Sequence, residues 1–175
     1  KKFTPAEERG LEFVGGYDFD QLPSVGLPEI AFLGRSNVGK SSMLNTLAGP
    51  GQKPALVSKM PGRTQRINLF RVGDSKGPFC CFADLPGYGY AKISQEKQRG
   101  IEGFLQKYLA ERVSLDLVVL LVDSRREPQE ADIEVRYHLF PLLFTHGLCF
   151  CVCRHEEQNG SCSRRCAYST WGIHF

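Results

Sequence analysis

The chain has 175 residues, of which 42% are hydrophobic and 23% are charged, and its formal net charge is +3. These values lie near the average for soluble globular proteins, so they argue against a disordered, collagen-like or coiled-coil chain and predict one folded domain. The mild positive charge permits a nucleic-acid partner but does not imply one. No apolar run approaches the roughly 20 residues that a membrane span requires, and we expect a monomer.

Cysteine is concentrated near the end of the chain. Of the seven cysteines, Cys149, Cys151, Cys153, Cys162 and Cys166 all follow residue 148. An odd number of cysteines fits a reducing compartment better than a disulfide scaffold, so we expect a cytoplasmic protein, or one in a mitochondrion or plastid if the source is a eukaryote. The chain begins at Lys1 with neither a methionine nor the apolar region of a signal peptide, which leaves open a removed targeting segment or a boundary further upstream.

The first part of the chain predicts an arm followed by a strand, a glycine loop and a helix. Residues 1–28 mix charge, glycine and proline and predict an extended arm with a turn. The apolar run 29–33 ends at Gly34 and predicts a buried strand, and residues 40–48 carry apolar residues at helical spacing. Residues 49–63 are rich in glycine, proline and basic residues without a period, which is typical of a mobile loop.

Strands and helices alternate through the rest of the readable chain. This alternation predicts an α/β fold with a mostly parallel, doubly wound sheet, one antiparallel edge strand, and a C-terminal part that is incomplete or divergent. We divide the chain into an arm (1–28), a core (29–146) and a cysteine-rich tail (147–175). The predicted elements are a hairpin of strands 67–72 and 79–84, an amphipathic helix over about 94–112, a central strand 115–122, a helix over about 129–144 and a weak strand 148–153.

A phosphate-binding motif spans residues 34–41, which match G-x-x-x-x-G-K-[ST]. Glycines let the backbone bring several N–H groups onto phosphate oxygens, and the following helix directs its positive end at them. Lys40 would reach the β- and γ-phosphates, and the Ser41 hydroxyl would bind Mg²⁺. A chance match is the alternative, but the strand before the motif and the helix after it favour nucleotide binding.

A second motif, D-x-x-G, follows the strand that ends at Asp84. Its carboxylate can hold Mg²⁺ through water, and the N–H of Gly87 can sense the γ-phosphate. A simple turn after a strand would explain the same letters. Thr64 lies between the two motifs, where its hydroxyl can complete the Mg²⁺ shell, although an exposed loop threonine often has no role.

Four segments in order, GRSNVGKSSMLNTL, SKMPGRTQRINLF, FADLPGYGYAK and LVVLLVDSR, carry a resemblance to a known family. Over residues 27–126 the chain resembles the EngB/YihA-type GTPases, a branch of the translation-factor-like P-loop GTPases. The resemblance implies GTP and GDP as ligands, Mg²⁺ as the metal, and a role in large ribosomal subunit assembly and, in bacteria, in cell division and septation. It implies nucleotide contacts by Gly34, Arg35, Ser36, Asn37, Val38, Gly39, Lys40, Ser41, Ser42, Gly62, Arg63, Thr64, Asp84, Leu85, Pro86 and Gly87, with Lys40, Thr64 and Asn37 as catalytic residues.

Two positions bear on the rate of hydrolysis. In Ras-like enzymes a water-orienting glutamine follows the D-x-x-G glycine, whereas this chain has Tyr88, whose ring cannot polarise water in that way. We therefore expect slow intrinsic hydrolysis, with the missing charge supplied by K⁺ or by a partner. Asn37 matches the asparagine that related K⁺-dependent GTPases use as a potassium ligand, and an asparagine tolerated in a turn is the alternative.

Basic residues gather in and after the predicted mobile loop. In a ribosome-assembly factor they would contact rRNA phosphates of the large ribosomal subunit, and that contact would weaken with salt. A solvated charged surface is the alternative. The residues are Lys53, Lys59, Arg63, Arg66 and Arg71.

The family pattern ends before the guanine-reading motif. The family carries [NT]-K-x-D after the strand that corresponds to residues 148–153, and its aspartate accepts hydrogen bonds from the guanine base. This chain has Arg154-His155-Glu156-Glu157 there and no such motif anywhere. The sequence therefore leaves guanine selectivity open, and the alternative to a GTPase is a defective or non-discriminating nucleotide-binding module.

Three interpretations of the tail remain. Cys149, Cys151 and Cys153 alternate along a strand and can be ordinary buried residues on one face. With His155, Cys162 and Cys166 they could bind zinc, although the spacing lacks paired C-x₂-C ligands. In the interpretation that we prefer, residues after about 146 are an alternative splice end or a shifted reading frame, and a complete GTPase of this type needs somewhat more sequence than the chain supplies.

Overall fold

The computed structural model describes residues 10–49, 66–88, 95–123, 133 and 135, together with the backbone of 147–158 and 161–169. The described strands form one seven-stranded sheet in the order β1-β3-β4-β2-β5-β6-β7. None of the described helices is long and apolar enough to cross a membrane. The elements are β1 (Gly10–Tyr17), a short 3₁₀ helix (Phe19–Gln21), β2 (Glu29–Gly34), α1 (Lys40–Ala48), β3 (Ile67–Asp74), β4 (Gly77–Asp84), α2 (Gln95–Glu111), β5 (Leu115–Asp123), β6 (Gly147–Gln158) and β7 (Ser161–Ser169).

The centre of the sheet is parallel and its edges are antiparallel. Strand β2 pairs in parallel with β4 and with β5, and β5 pairs in parallel with β6. Strand β3 pairs antiparallel with β4 as the predicted hairpin, and β1 extends that edge. The expected α/β fold with a mostly parallel sheet and an antiparallel edge is confirmed.

Helices α1 and α2 cover opposite faces of the sheet, since successive strand residues point to opposite sides. On one face, Ala31 and Leu33 of β2 belong to the same buried cluster as Leu105 and Tyr108 of α2. On the other face, Phe32 of β2 packs in a cluster with residues of α1 such as Leu44. This double winding leaves the carboxyl ends of β2 and β4 open at one rim of the sheet, the usual ligand position in such folds.

The N-terminal arm reaches from the antiparallel edge to α2. After β1, the ring of Phe19 packs edge-on against Phe104 and Tyr108. Lys107 pairs with Asp20 at 3.1 Å and also lies over the Phe19 ring. The arm is therefore attached at both its strand and its helical turn.

Two strands do not follow from the sequence pattern. Strand β1 contains Gly15 and Gly16 and a register shift between Phe13 and Gly15, so its alternation is broken. Strand β7 has no clear period of two in its sequence. The predicted weak strand at 148–153 is confirmed but runs further, as β6. Of the predicted helix 129–144, only Ile133 and Val135 lie among the described residues, and both are helical; the proposed domain division stays a prediction.

Candidate nucleotide-binding site

A tight loop joins β2 to α1 at the open rim of the sheet. Asn37 has φ 64° and Gly39 has φ 117°, so the backbone is left-handed at both positions. Asparagine tolerates this conformation better than most residues, which is the local reason for Asn37 in the loop. The N–H of Val38 donates to the carbonyl of Arg35 at 3.2 Å. The loop thus turns sharply into the amino end of α1, where the helix has free N–H groups and a positive dipole end.

Gly34 is required by packing at the start of the loop. A Cβ at this position would lie 2.8 Å from the carbonyl oxygen of Leu121 and 2.9 Å from a methyl group of Val38. Since Leu121 belongs to the neighbouring strand β5, the contact is made with backbone that cannot easily move. The first glycine of the motif therefore allows the loop to lie close to the neighbouring strand of the sheet.

Lys40 is the first residue of α1 and directly follows the loop. Its Nζ donates to the carbonyl oxygen of Gly34 at 3.3 Å. Burial lowers the pKa of Lys40, and the nearby carboxylate of Asp84 offsets only part of that effect. An anion in the loop would compensate for the solvation that the ammonium loses on burial.

Asp84 ends β4 beside Lys40. Burial raises the pKa of Asp84 to about 6, even though Lys40 and a hydrogen bond from Ser41 act in the opposite direction. Its Oδ1 is buried and has no hydrogen-bond partner in the described part of the chain. A carboxylate oxygen without a donor, next to the Ser41 hydroxyl, offers the oxygen ligands that Mg²⁺ and its bound waters prefer. The residues present therefore fit a magnesium ion.

The D-x-x-G loop contacts the phosphate loop directly. The N–H of Ser36 donates to the carbonyl of Tyr88 at 3.2 Å, and Arg35 and Tyr88 form a parallel β-bridge. A Cβ on Gly87 would lie 2.6 Å from Ser36 Oγ, so glycine allows this approach. Ser36 Oγ is itself buried, and no described residue is its hydrogen-bond partner.

Tyr88 is only 4% exposed and belongs to the core cluster that includes Leu85 and Leu105. Its ring is therefore part of the hydrophobic core on the α2 face.

The structure brings together the phosphate loop, Gly34 to Ser42, and the D-x-x-G residues, Asp84 to Gly87. Asn37 lies in the loop with its side chain exposed. Gly62, Arg63 and Thr64 lie outside the described residues, as do Lys53 and Lys59. The sequence pattern does not indicate the unpaired Ser36 hydroxyl, because serine in a loop is unremarkable until its surroundings are known.

The two basic residues of the predicted cluster that the structure describes have acidic neighbours in the arm. Arg71 pairs with Glu12 at 3.0 Å, and Arg66 lies 3.8 Å from Asp18. These contacts place part of the predicted basic surface next to compensating charge.

Residues Arg154 to Glu157, where the family carries its guanine motif, continue as strand β6. Their backbone pairs with residues 162–165 of β7, for example Arg154 with Arg165. The backbone at the carboxyl end of β6 is thus part of a hairpin.

Together, the glycine loop, Lys40, Ser41 and Asp84 at the rim of a doubly wound sheet define a P-loop nucleotide-binding protein. A family model described as "50S ribosome-binding GTPase" matches residues 29–144. The chain belongs to this GTPase family and is of the EngB type, as its relatives indicate.

The relatives are probable GTP-binding proteins named EngB. One from Acidobacterium capsulatum is 51% identical over 119 residues, which cover 66% of this chain and 56% of the relative. One from Pediococcus pentosaceus is 45% identical over 128 residues, which cover 71% of this chain and 63% of the relative. The chain therefore spans little more than half the length of these relatives.

Two solved structures share the fold. A crystal structure of a probable GTP-binding protein engB superposes with a TM-score of 0.52 and 24% identity, over 70% of this chain and 67% of that chain. Era in complex with MgGDPNP and a segment of 16S ribosomal RNA superposes with a TM-score of 0.53 and 24% identity, over 71% of this chain and 39% of that chain. At this level of identity the likeness concerns the fold.

Proposed function

We propose that this chain is a molecular switch that binds GTP with Mg²⁺ and hydrolyses it slowly. The observation that carries the proposal is the arrangement at the rim of the sheet. There Lys40 lies beside Asp84, whose Oδ1 has no hydrogen-bond partner among the described residues, at an amino end of α1 that no side chain caps. A phosphate chain supplies the negative charge that Lys40 lacks, and a hydrated cation supplies the donors that Asp84 lacks.

Each residue has a definite role in this proposal. The loop N–H groups and Lys40 bind the phosphates, and Ser41 and Asp84 hold Mg²⁺, directly and through water. When bound, the ion neutralises charge on the phosphate oxygens. Thr64 completes the metal shell, and the N–H of Gly87 senses the γ-phosphate, so that both switches order with GTP and relax with GDP.

Slow hydrolysis is expected because Tyr88 stands where Ras-like enzymes have a water-orienting glutamine, and the burial of its ring in the core supports this. The missing stabilisation comes from K⁺ held by Asn37 or from a macromolecular partner. Turnover of GTP in the presence of the ribosomal partner should therefore be faster in K⁺ than in Na⁺. Equal rates in the two salts would remove Asn37 from the potassium role.

The partner that we propose is the large ribosomal subunit or its rRNA, with a role in ribosome assembly and, in bacteria, in cell division. The proposal is supported by the family description and by the EngB names of the relatives. The surface for phosphate contacts is supplied by the predicted basic cluster, of which Arg66 and Arg71 also have the acidic neighbours Asp18 and Glu12. Binding to rRNA should weaken steeply as salt rises.

Titration with fluorescent GDP, GTP and ATP tests the proposed function. We expect micromolar, guanine-selective binding to the wild-type chain and none to Lys40→Ala. Lys76→Ala is the matched control, because Lys76 is an exposed lysine in the β3–β4 turn at the opposite rim of the sheet. Equal, weak binding of all three nucleotides would support instead a non-discriminating module, an alternative that none of the comparisons supports.

A further inference from the structure

The charged side chains in the described part of the N-terminal arm are all acidic. Residues 10–28 contain three carboxylates and neither lysine nor arginine. Each of these carboxylates lies beside a cation that belongs to β3, to the residue before β3, or to α2. The pairs are Glu12 with Arg71 at 3.0 Å, Asp20 with Lys107 at 3.1 Å, and Asp18 with Arg66 at 3.8 Å. The three partners, Arg66, Arg71 and Lys107, are the arm cations.

The arm cations follow the course of the arm over the fold. Arg71 of β3 is opposite Glu12 in the register of β1 and β3. Arg66 directly precedes β3. Lys107 lies on α2, with its Nζ 4.6 Å from the centre of the Phe19 ring. The basic cluster predicted from the sequence contains two of these residues, and the fold adds Lys107 as a third.

The three pairs are exposed enough to exchange partners. Their six side chains are between 39% and 85% exposed, whereas those of the buried pair Glu29 and Arg112 are 1% and 12% exposed. Water solvates both members of an exposed pair, so the pair contributes little to stability and another anion can replace the carboxylate. The backbone of the arm can stay in place during this exchange, because β1 pairs with β3 and Phe19 packs against α2. The exchange therefore needs only rotation of exposed side chains.

An RNA backbone is an anion that fits this arrangement. The arm cations lie at three separate places in the fold, which suits an extended chain of charges better than a small ion. The planar guanidinium groups of Arg66 and Arg71 match the geometry of phosphate oxygens. Each phosphate that pairs with a cation also releases a condensed counterion, which favours binding at low salt.

Building on the proposed ribosomal partner, we infer that the arm cations contact RNA phosphates and that the arm carboxylates compete with the RNA for these cations. The surface that contacts RNA then extends from the predicted basic cluster to Lys107 on α2. The arm lowers the affinity for RNA in general, and an RNA that reaches several arm cations at once displaces the carboxylates most easily.

The test measures binding of fluorescein-labelled poly(U), a single-stranded RNA, to the full chain over a range of salt concentrations. The arm variant combines Glu12→Gln, Asp18→Asn and Asp20→Asn, and it should bind about tenfold more tightly than the wild type at low salt. Because the variant frees up to three cations, the slope of log K against log salt should become more negative by up to about 2.

The matched control combines Glu96→Gln, Glu111→Gln and Asp116→Asn, which change the net charge by the same amount at exposed carboxylates outside the arm. Because salt screens distant charges, this control should gain at most about twofold, with an unchanged slope. Changing all three arm cations to glutamine in the arm variant should remove its gain. A single cooperative urea transition in every variant excludes a folding defect.

The outcomes separate this inference from the proposed function. An equal gain and an equal slope in the arm variant and the control would show that only net charge matters, and would overturn the inference while the ribosomal partner stands. A gain that persists without the arm cations would overturn it as well. If poly-L-glutamate displaces the labelled RNA from the arm variant as readily as unlabelled poly(U) does, the surface takes an acidic protein and the assignment to RNA is wrong. Failure of the arm variant to bind poly(U) would overturn the inference, and if the large ribosomal subunit also fails to bind, the proposed partner is wrong too.

Discussion

Buried polar atoms lie near both ends of β2, but only those near its amino end are all paired among the described residues. Glu29 begins β2 and is 1% exposed in its side chain. Its carboxylate accepts hydrogen bonds from Tyr108, from Ser114 at 3.3 Å, and from the guanidinium of Arg112 at 2.8 Å. Near the carboxyl end, Asp84 Oδ1 and Ser36 Oγ are buried and have no hydrogen-bond partner in the part of the chain that the structure describes.

The pKa shifts near the two ends of β2 show the same contrast as the hydrogen bonds. At the amino end, burial alone would lower the pKa of Arg112, but its hydrogen bonds and attraction to Glu29 raise the pKa above the usual value. At the carboxyl end, burial lowers the pKa of Lys40 and raises that of Asp84, so both charged forms are disfavoured. Among the described residues, the buried groups at the amino end satisfy one another, whereas those at the carboxyl end do not. A bound ligand, as in the proposed function, would supply the missing partners there.

The largest predicted effect concerns the amino end. Glu29→Gln removes the carboxylate and leaves Arg112 as a buried charge without its counter-ion. We expect the free energy of unfolding to fall by about 3–5 kcal/mol, measured by urea denaturation. The triple variant Glu29→Leu, Tyr108→Phe and Arg112→Met should lose far less, since a buried ion pair replaced by apolar groups is often nearly neutral when no buried donor is left without its acceptor. Equal losses in the single and triple variants would contradict the importance of the pairing.

Gly87→Ala tests the loop contact at the carboxyl end. The added methyl would overlap Ser36, including its backbone N and Cα at 2.9 Å, so the D-x-x-G loop has to move. We expect a loss of about 1–3 kcal/mol in stability, measured by urea denaturation, together with loss of the Ser36 to Tyr88 hydrogen bond. Gly100→Ala in α2 is the matched control, because a Cβ there meets nothing within 4 Å, and it should gain up to about 1 kcal/mol.

Asp84→Asn should raise the free energy of unfolding, whereas Glu29→Gln should lower it. The carboxylate is held in a buried place that disfavours its charge, and an amide carries none. Without nucleotide and at neutral pH, we expect the free energy of unfolding to rise by about 1–2 kcal/mol, while the Mg²⁺ dependence of nucleotide binding is lost. A destabilised variant would mean that Asp84 is paired within the fold like Glu29.

Much of this architecture can be predicted from the sequence, because its signals are local. The bounds of α1 follow from Gly39 and Gly49, which flank it and have φ 117° and 98°. The phosphate loop follows from a motif of consecutive residues. Apolar runs likewise predict β2 and β5 within one residue of their observed ends.

The Glu29 cluster cannot be predicted in this way, because its members are distant in sequence. Tyr108 is 79 residues from Glu29, and Ser114 is 85 residues away. The only local signal is a charged residue at the head of an otherwise apolar strand. Similarly, the unpaired state of Ser36 depends on a loop about fifty residues further along the chain, so only the folded structure reveals it.

The smallest predicted effect concerns the exposed pair of Arg71 and Glu12 between β3 and β1. The geometry is good, at 3.0 Å, but the two side chains are 39% and 69% exposed. Water already solvates both charges, so a double-mutant cycle with Arg71→Ala and Glu12→Ala should give a coupling energy below about 1 kcal/mol that falls further in salt. A coupling as large as that expected for Glu29 and Arg112 would mean that burial is not what distinguishes the two pairs. A small coupling energy that falls further in salt would show that proximity of charges alone stabilises little. The large loss of stability expected for Glu29→Gln would then come from burial of the charges at the amino end of β2.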